Sequence, residues 1–256
     1  MKARAQSVSS AAVIDPKCPW RLPRINCEFE YFYQKSVAEW SALLAKAAEG
    51  DAEAEYEVAT VYDYGCKDSR GRILIRRSID KAVTWYRRAA EHGSGGAQNN
   101  LGVILGGNHG VKRNAREALL WLNRAFRCGD TCCAPNNIAI TYRENGKFRQ
   151  AVRWFERCAD RRDADVLIQL GIHYYWGKGV LVDHAFAVRL FRNAIKRKYA
   201  AEDSLEDAFF YLGIAYLEGN GVKKSLRMAR KYFERANKDN DHPAAQRLLK
   251  QLKGIV

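Results

Sequence analysis

Little in this sequence interrupts a helix. Five prolines occur in 256 residues, and three of them, Pro16, Pro19 and Pro23, precede residue 24. Beyond that point the backbone is free to run helical, because only proline's missing N–H and fixed φ would break it. Alternating β-branched runs bounded by turns are also missing, so strands are not expected. No apolar run approaches the roughly 20 residues that a membrane helix needs. The longest, Ala208 to Leu217, reaches about half that length.

Signatures of chemistry are scarce too. The histidines His92, His109, His173, His184 and His242 are scattered, with no HExxH spacing. No serine or cysteine stands in a nucleophile motif. The group Cys128, Cys132 and Cys133 lacks the paired C-x2-C spacing and the nearby histidine of common zinc sites. No catalytic residue, metal or cofactor is therefore expected. The cysteines number seven, an odd count, and Lys2 and Arg4 are not followed by a solid apolar core. Together these favour a reducing, cytoplasmic location over secretion. Residues 1–14 are basic, rich in Ser and Ala and free of acids. Organelle-targeting segments and disordered tails share that composition, and a tail is the expectation here.

What is present is charge and repetition. Lys and Arg total 43 against 29 Asp and Glu, a formal +14. Such a field favours an acidic protein face, nucleic acid or an anionic membrane, and part of it simply solvates long helices. The repetition is clearest at Leu212-Gly213 through Gly219-Asn220-Gly221-Val222. Copies lie at Leu170-Gly171 through Gly177-Lys178-Gly179-Val180 and, more loosely, at Leu101-Gly102 through Gly110-Val111. A second signature places an aromatic or leucine pair four residues before a small one. It occurs at Trp85-Tyr86/Ala89, Trp121-Leu122/Ala125, Trp154-Phe155/Cys158, Leu190-Phe191/Ala194 and Tyr232-Phe233/Ala236. Spacings of 33 to 42 residues between these pairs mark stacked supersecondary units.

Each unit reads as a helical hairpin, with pairs at 52–64/77–92, 95–106/114–128, 133–145/147–160, 163–176/183–197 and 205–218/224–238. A leading helix is expected at 29–49 and a capping helix at 242–253, with residues 1–28 as an irregular lead-in to a single array over 29–256. Glycine inside a helix costs roughly 1 kcal/mol against alanine. Its return at one register predicts close approach, with large side chains of one helix seated on small residues of another. Cys158 holds a small-residue position and is expected to pack. The enlarged loop Cys66–Arg72 is polar and basic and should project from one rim, as a contact device or as a tolerated surface loop. Residues 199–203 read as a smaller insertion.

The pattern Ala-x-x-x-Leu-Gly-x-x-Tyr-x-x-Gly-x-Gly-Val, then Ala-x-x-Trp-Tyr-x-x-Ala-Ala-Glu-x-Gly, resembles Sel1-like repeats, relatives of tetratricopeptide repeats. Ala82, Val83, Trp85, Tyr86, Ala89, Ala90, Glu91, Gly93, Ala97, Leu101 and Gly102 follow it almost unbroken. The third unit lacks the Gly-x-Gly-Val turn and looks more like an ordinary tetratricopeptide hairpin. The resemblance covers residues 43 to about 236. It implies an all-α fold, a right-handed α/α superhelix of about five hairpins with first helices lining a concave face. Members usually bind proteins or peptides as adaptors and scaffolds, and some bacterial members inhibit a paired toxin. A cysteine-rich branch carries one disulfide per unit, a regularity absent here.

Counted from the Leu-Gly register, the inward-pointing candidates are Tyr56, Asp63 and Tyr64, then Asn99 and Asn100, Asn136 and Arg143, Gln169, Tyr175 and Trp176, and Tyr211. Tyrosine, tryptophan, arginine and amide side chains suit a protein-binding groove. Packing between units is the other reading of Tyr64, Tyr175 and Trp176. Arg149, Arg153, Arg157 and Arg161 recur at i+4 and share a face of a second helix. Solvated surface, an acidic protein partner and nucleic acid all fit that stripe. The overall expectation is a non-enzymatic protein-binding solenoid, with nucleic-acid binding as the alternative.

Overall fold

In a computed structural model, residues 33–107, 110–129, 133–159, 164–197, 202–239 and 242–252 are described. The expected lead-in 1–28 lies outside them, as do His109, Cys132 and Arg161. The fold is all-α, of the helical-solenoid class. The chain divides into two compact units, residues 1–137 and 138–256.

In the first unit α1 (Val37–Ala48) precedes two antiparallel hairpins, α2 (Ala52–Tyr64) with α3 (Ile79–Glu91) and α4 (Gly95–Gly106) with α5 (Ala115–Arg127). The division falls inside α6 (Cys133–Glu144). The second unit continues with α7 (Phe148–Ala159), then α8 (Ala164–Trp176) with α9 (His184–Ala194), α10 (Glu202–Glu218) with α11 (Leu226–Ala236), and α12 (Pro243–Leu252).

The helix starts follow from capping side chains. Asp51 accepts from the amides of Glu53 and Ala54 to open α2. Ser94, Asn114, Asp183 and Ser225 open α4, α5, α9 and α11 in the same way. Each such cap contributes about 1 kcal/mol. The leading helix is shorter than expected, because a capping box fixes its start. Ser36 Oγ accepts from the Glu39 amide while the Glu39 carboxylate accepts from the Ser36 amide. These bonds also hold the Glu39 carboxyl below its usual range.

The expectation of no strands needs correction. β1 (Tyr33–Gln34) pairs in parallel with β2 (Cys66–Lys67), and β2 pairs antiparallel with β3 (Ile73–Ile75). Gly65, at φ +82°, ends α2 and turns the chain into β2. Asp68 then closes the tip, accepting from the amides of Arg70 and Arg72 and from Arg72 Nε. The enlarged loop is thus a small hairpin, built into a sheet. Of the expected insertion at 199–203, residues 199–201 lie outside the described residues, and Glu202 and Asp203 already belong to α10.

The repeated glycines do what their register implied. A Cβ on Gly171 would lie 2.5 Å from Phe191, one on Gly213 equally close to Phe233, and one on Gly102 equally close to Leu122. In each case the large side chain comes from the second helix of the same hairpin. The second glycine of each later turn has another reason. Gly179 (φ +84°) and Gly221 (φ +71°) lie against backbone at the starts of α7 and α9, where a Cβ would meet Phe148 C and His184 C at 2.5 Å. The turn of one hairpin therefore rests on the second helix of the hairpin before it. Cys158 is buried, and its thiol donates to the Trp154 carbonyl at 3.1 Å.

Candidate functional site

In the first unit the candidate residues meet around a side chain that sequence reasoning took only for a packing ring. Tyr86 of α3 is fully buried. Its hydroxyl donates weakly toward Thr60 Oγ1 (3.4 Å) and Asp63 Oδ2 (3.5 Å) and lies 3.3 Å from the Asn100 amide. Asn100 also donates to Tyr56 Oη, Asn99 to Asn100, and Asn137 to Asn99. Burial first, then the Asp63 charge, holds the Tyr86 phenol well above its ordinary range. Asn99 and Asn100 are buried, so this cluster supports the first helices from within. Tyr56 and Asp63 are half-buried at its margin, and Tyr64 is half-buried as well. Asn136 is half-buried with an enclosed carbonyl oxygen.

In the second unit Arg143 donates to Gln169 and lies 3.5 Å from Glu144. Tyr175, Trp176 and Tyr211 come together where α8 and α10 pack. Tyr175 is 2% exposed, Tyr211 half-buried and Trp176 50% exposed. The Trp176 indole stands edge-on to Tyr175 at 5.2 Å, and the Tyr211 ring lies 6.2 Å from Tyr175. Tyr211 stacks on Phe191 at 5.4 Å. The Tyr175 hydroxyl donates to the Glu218 carboxylate at 2.9 Å, and Asn220 donates to the same oxygen at 2.7 Å. Burial is the main cause that pushes the Tyr175 phenol up to about 12. Tyr175 is thus a buried strut, and Trp176 is the ring it presents to solvent.

Sequence reasoning missed Glu218 and Asn220, and it missed a charge division visible in the residues themselves. The first helices α2, α4, α6, α8 and α10 carry eleven carboxylates and one basic side chain, Arg143. The second helices α3, α5, α7, α9 and α11 carry fifteen basic and five acidic side chains. Counting charge by helix class would have shown it. Arg149, Arg153 and Arg157 are exposed on α7, as the i+4 stripe required. Of the described cysteines, Cys128 is exposed and Cys133 half-buried. No helix among the described residues is long and apolar enough to cross a membrane.

Antiparallel hairpins keyed by glycine, with glycine turns resting on the preceding hairpin, define a repeat protein of the tetratricopeptide-like class. Within that class the chain belongs to the Sel1 repeat family, whose repeat matches residues 52–94, 96–130, 145–163, 164–199 and 207–241. All of α6 falls between two matches, in the unit that lacks the Gly-x-Gly-Val turn. A Sel1 repeat protein from Oxalobacter formigenes is similar in structure, with TM-score 0.64 and 22% identity over 85% of each chain. A protective antigen of uropathogenic Escherichia coli with an SLR fold gives TM-score 0.68 and 24% identity, covering 84% of this chain and 44% of that one. In sequence, the chain is 26% identical over 172 residues to DAP3-binding cell death enhancer 1 of Rattus norvegicus. That match takes in 65% of this chain and 32% of the relative, so the chain spans about a third of that protein.

Proposed function

We propose that this protein is a non-enzymatic binding module, an adaptor or inhibitor, that holds a segment of a partner protein along the first helices of its hairpins. One observation carries the reading. Trp176 is half exposed, yet its ring packs edge-on against the buried Tyr175. A large aromatic surface held rigid in solvent loses little freedom on binding, which is the property of an interface anchor. Gln169 and Tyr211 lie on the same stripe and supply polar complementarity, with Arg143 tied to Gln169. Membership of a repeat family that generally serves protein interaction supports the same conclusion.

The test uses immobilised full-length chain and its Trp176→Ala variant, with nuclease-treated and untreated lysate. Specific proteins should remain on the wild type and be lost from the variant, whatever the nuclease treatment. Equal retention on both proteins would end the reading. The exposed Arg149, Arg153 and Arg157 support a second contact on the second helices, made to an acidic protein surface. Nucleic acid is its alternative occupant, and release of the bound material by nuclease together with a steep salt dependence would identify it.

A further inference from the structure

We infer that the segment held on the second unit is cationic: an extended peptide that lays a lysine or arginine over Trp176, on the face where Tyr175 holds the Glu218 carboxylate, and an aliphatic side chain on Leu181 and Val182. The inference rests on the protein-binding reading and names the chemistry of its partner. In a chain of formal charge +14, neither α8 nor α10 contains a single lysine or arginine. Helical spacing puts Asp165 on one stripe of α8 with Trp176, and Asp207 on one stripe of α10 with Tyr211 and Glu218. Arg143, which donates to Gln169, reaches this face from α6, and Lys178 follows Trp176 in the turn with its Nζ over the Phe148 ring at 6.0 Å. The two helices themselves therefore present carboxylates and no lysine or arginine to a partner segment.

Two features show that this is more than a solvated acidic face. The Glu218 carboxylate is fixed by Tyr175 and Asn220, and both donors are neutral, so its charge is oriented and still available to a cation. The Trp176 indole, packed against the Tyr175 ring that holds Glu218, offers a π face, the best aromatic partner for an ammonium or guanidinium group.

The adjoining turn departs from its repeats in the matching direction. Where the other glycine turns carry Lys112-Arg113 and Lys223-Lys224, this one carries Leu181-Val182, with its one basic residue, Lys178, at the place of Asn220. Among the described residues six large apolar side chains stand exposed, and three lie here: Trp176 at 50%, Leu181 at 91% and Val182 at 54%. A Cβ on Gly177 would lie 2.8 Å from Val182, so the turn folds back onto the end of α8 next to Trp176. Replacing a basic pair by an apolar one removes repulsion toward a cationic ligand and adds area to bury, at about 25 cal/mol per Å².

Random twelve-residue peptides displayed on phage, selected against the full chain and then depleted with Trp176→Ala, test the idea. The surviving sequences should be net positive, with a lysine or arginine next to an aliphatic residue. A selected peptide should bind Glu218→Gln about tenfold more weakly, the loss of one charge-assisted contact. It should also bind Leu181→Lys/Val182→Lys more weakly. Survivors that are neutral or acidic, or that bind Glu218→Gln as tightly as wild type, would overturn the cationic assignment and leave the binding reading standing. If Trp176→Ala removes every selected peptide and leaves no survivors, the binding reading itself falls.

Discussion

The two units use one hairpin template and fill it with opposite chemistry. The first unit buries Glu55, Thr60, Ser94, Gln98, Asn99 and Asn100, whereas the second buries only Thr141 and His173 among its described polar side chains. In the second unit Phe191 and Phe233 seat on Gly171 and Gly213; in the first, the corresponding place on Gly102 takes Leu122. The difference has a local cause. Glu55 enters the core of the first unit fully buried, and Arg88 Nε and His92 Nδ1 lie 2.5 Å and 2.7 Å from its oxygens. The Tyr86 hydroxyl then brings a ring of amides and hydroxyls around itself. A repeat family can thus hold the same backbone with an aromatic core or with a connected polar one. What it cannot vary freely is the position of its small residues.

Ways to break this comparison begin with the aromatic core. Phe191→Ala should cost about 4 kcal/mol, because it removes a fully buried ring and leaves a cavity over Gly171. Hydrogen exchange should show the loss in α8 and α9, with the amides of α4 protected as before. Next is the polar core. Arg88→Ala should cost about 3 kcal/mol, since it leaves the Glu55 carboxylate with only His92. Adding Glu55→Leu should recover much of that loss in a denaturant melt. If the double variant is no more stable than the single one, the buried charge is not what the arginine balances.

The smallest effect concerns pH. His173 is buried, and its Nδ1–H donates to the Lys178 carbonyl at 2.6 Å, which a neutral ring can do. Burial, the largest cause, lowers its pKa. Below about pH 6.5 the unfolded chain therefore takes up a proton that the folded chain refuses. Stability should fall as pH drops from there toward the folded value, and His173→Gln should flatten that slope. Exchange at α8 should report the change, while the buried amides and hydroxyls of the first unit have no proton to take up. A slope unchanged by the substitution would remove His173 from the account.

Much of this was legible beforehand. The glycine registers, the capping residues and the 33–42-residue spacing are local signals that act through contacts within a hairpin. They located every helix of the repeats to within a few residues. The start of α1 was misplaced because helical periodicity extends upstream of Ser36, while the capping box that stops it is a side-chain geometry. The strands were missed because β1 and β2 are two residues each and pair across 33 positions of sequence.

By itself, then, the sequence determined the hairpins, their order and the small residues on which large ones sit, since each rests on spacing along one or two helices. It also determined, had the count been made, that first helices are acidic and second helices basic. Only the tertiary structure decided which aromatic side chains are struts and which face water. Tyr175 and Trp176 are adjacent in the chain and alike in composition, yet one is 2% and the other 50% exposed. Their roles are set by Tyr211, Glu218 and Asn220, which packing brings from the next hairpin more than 30 residues away.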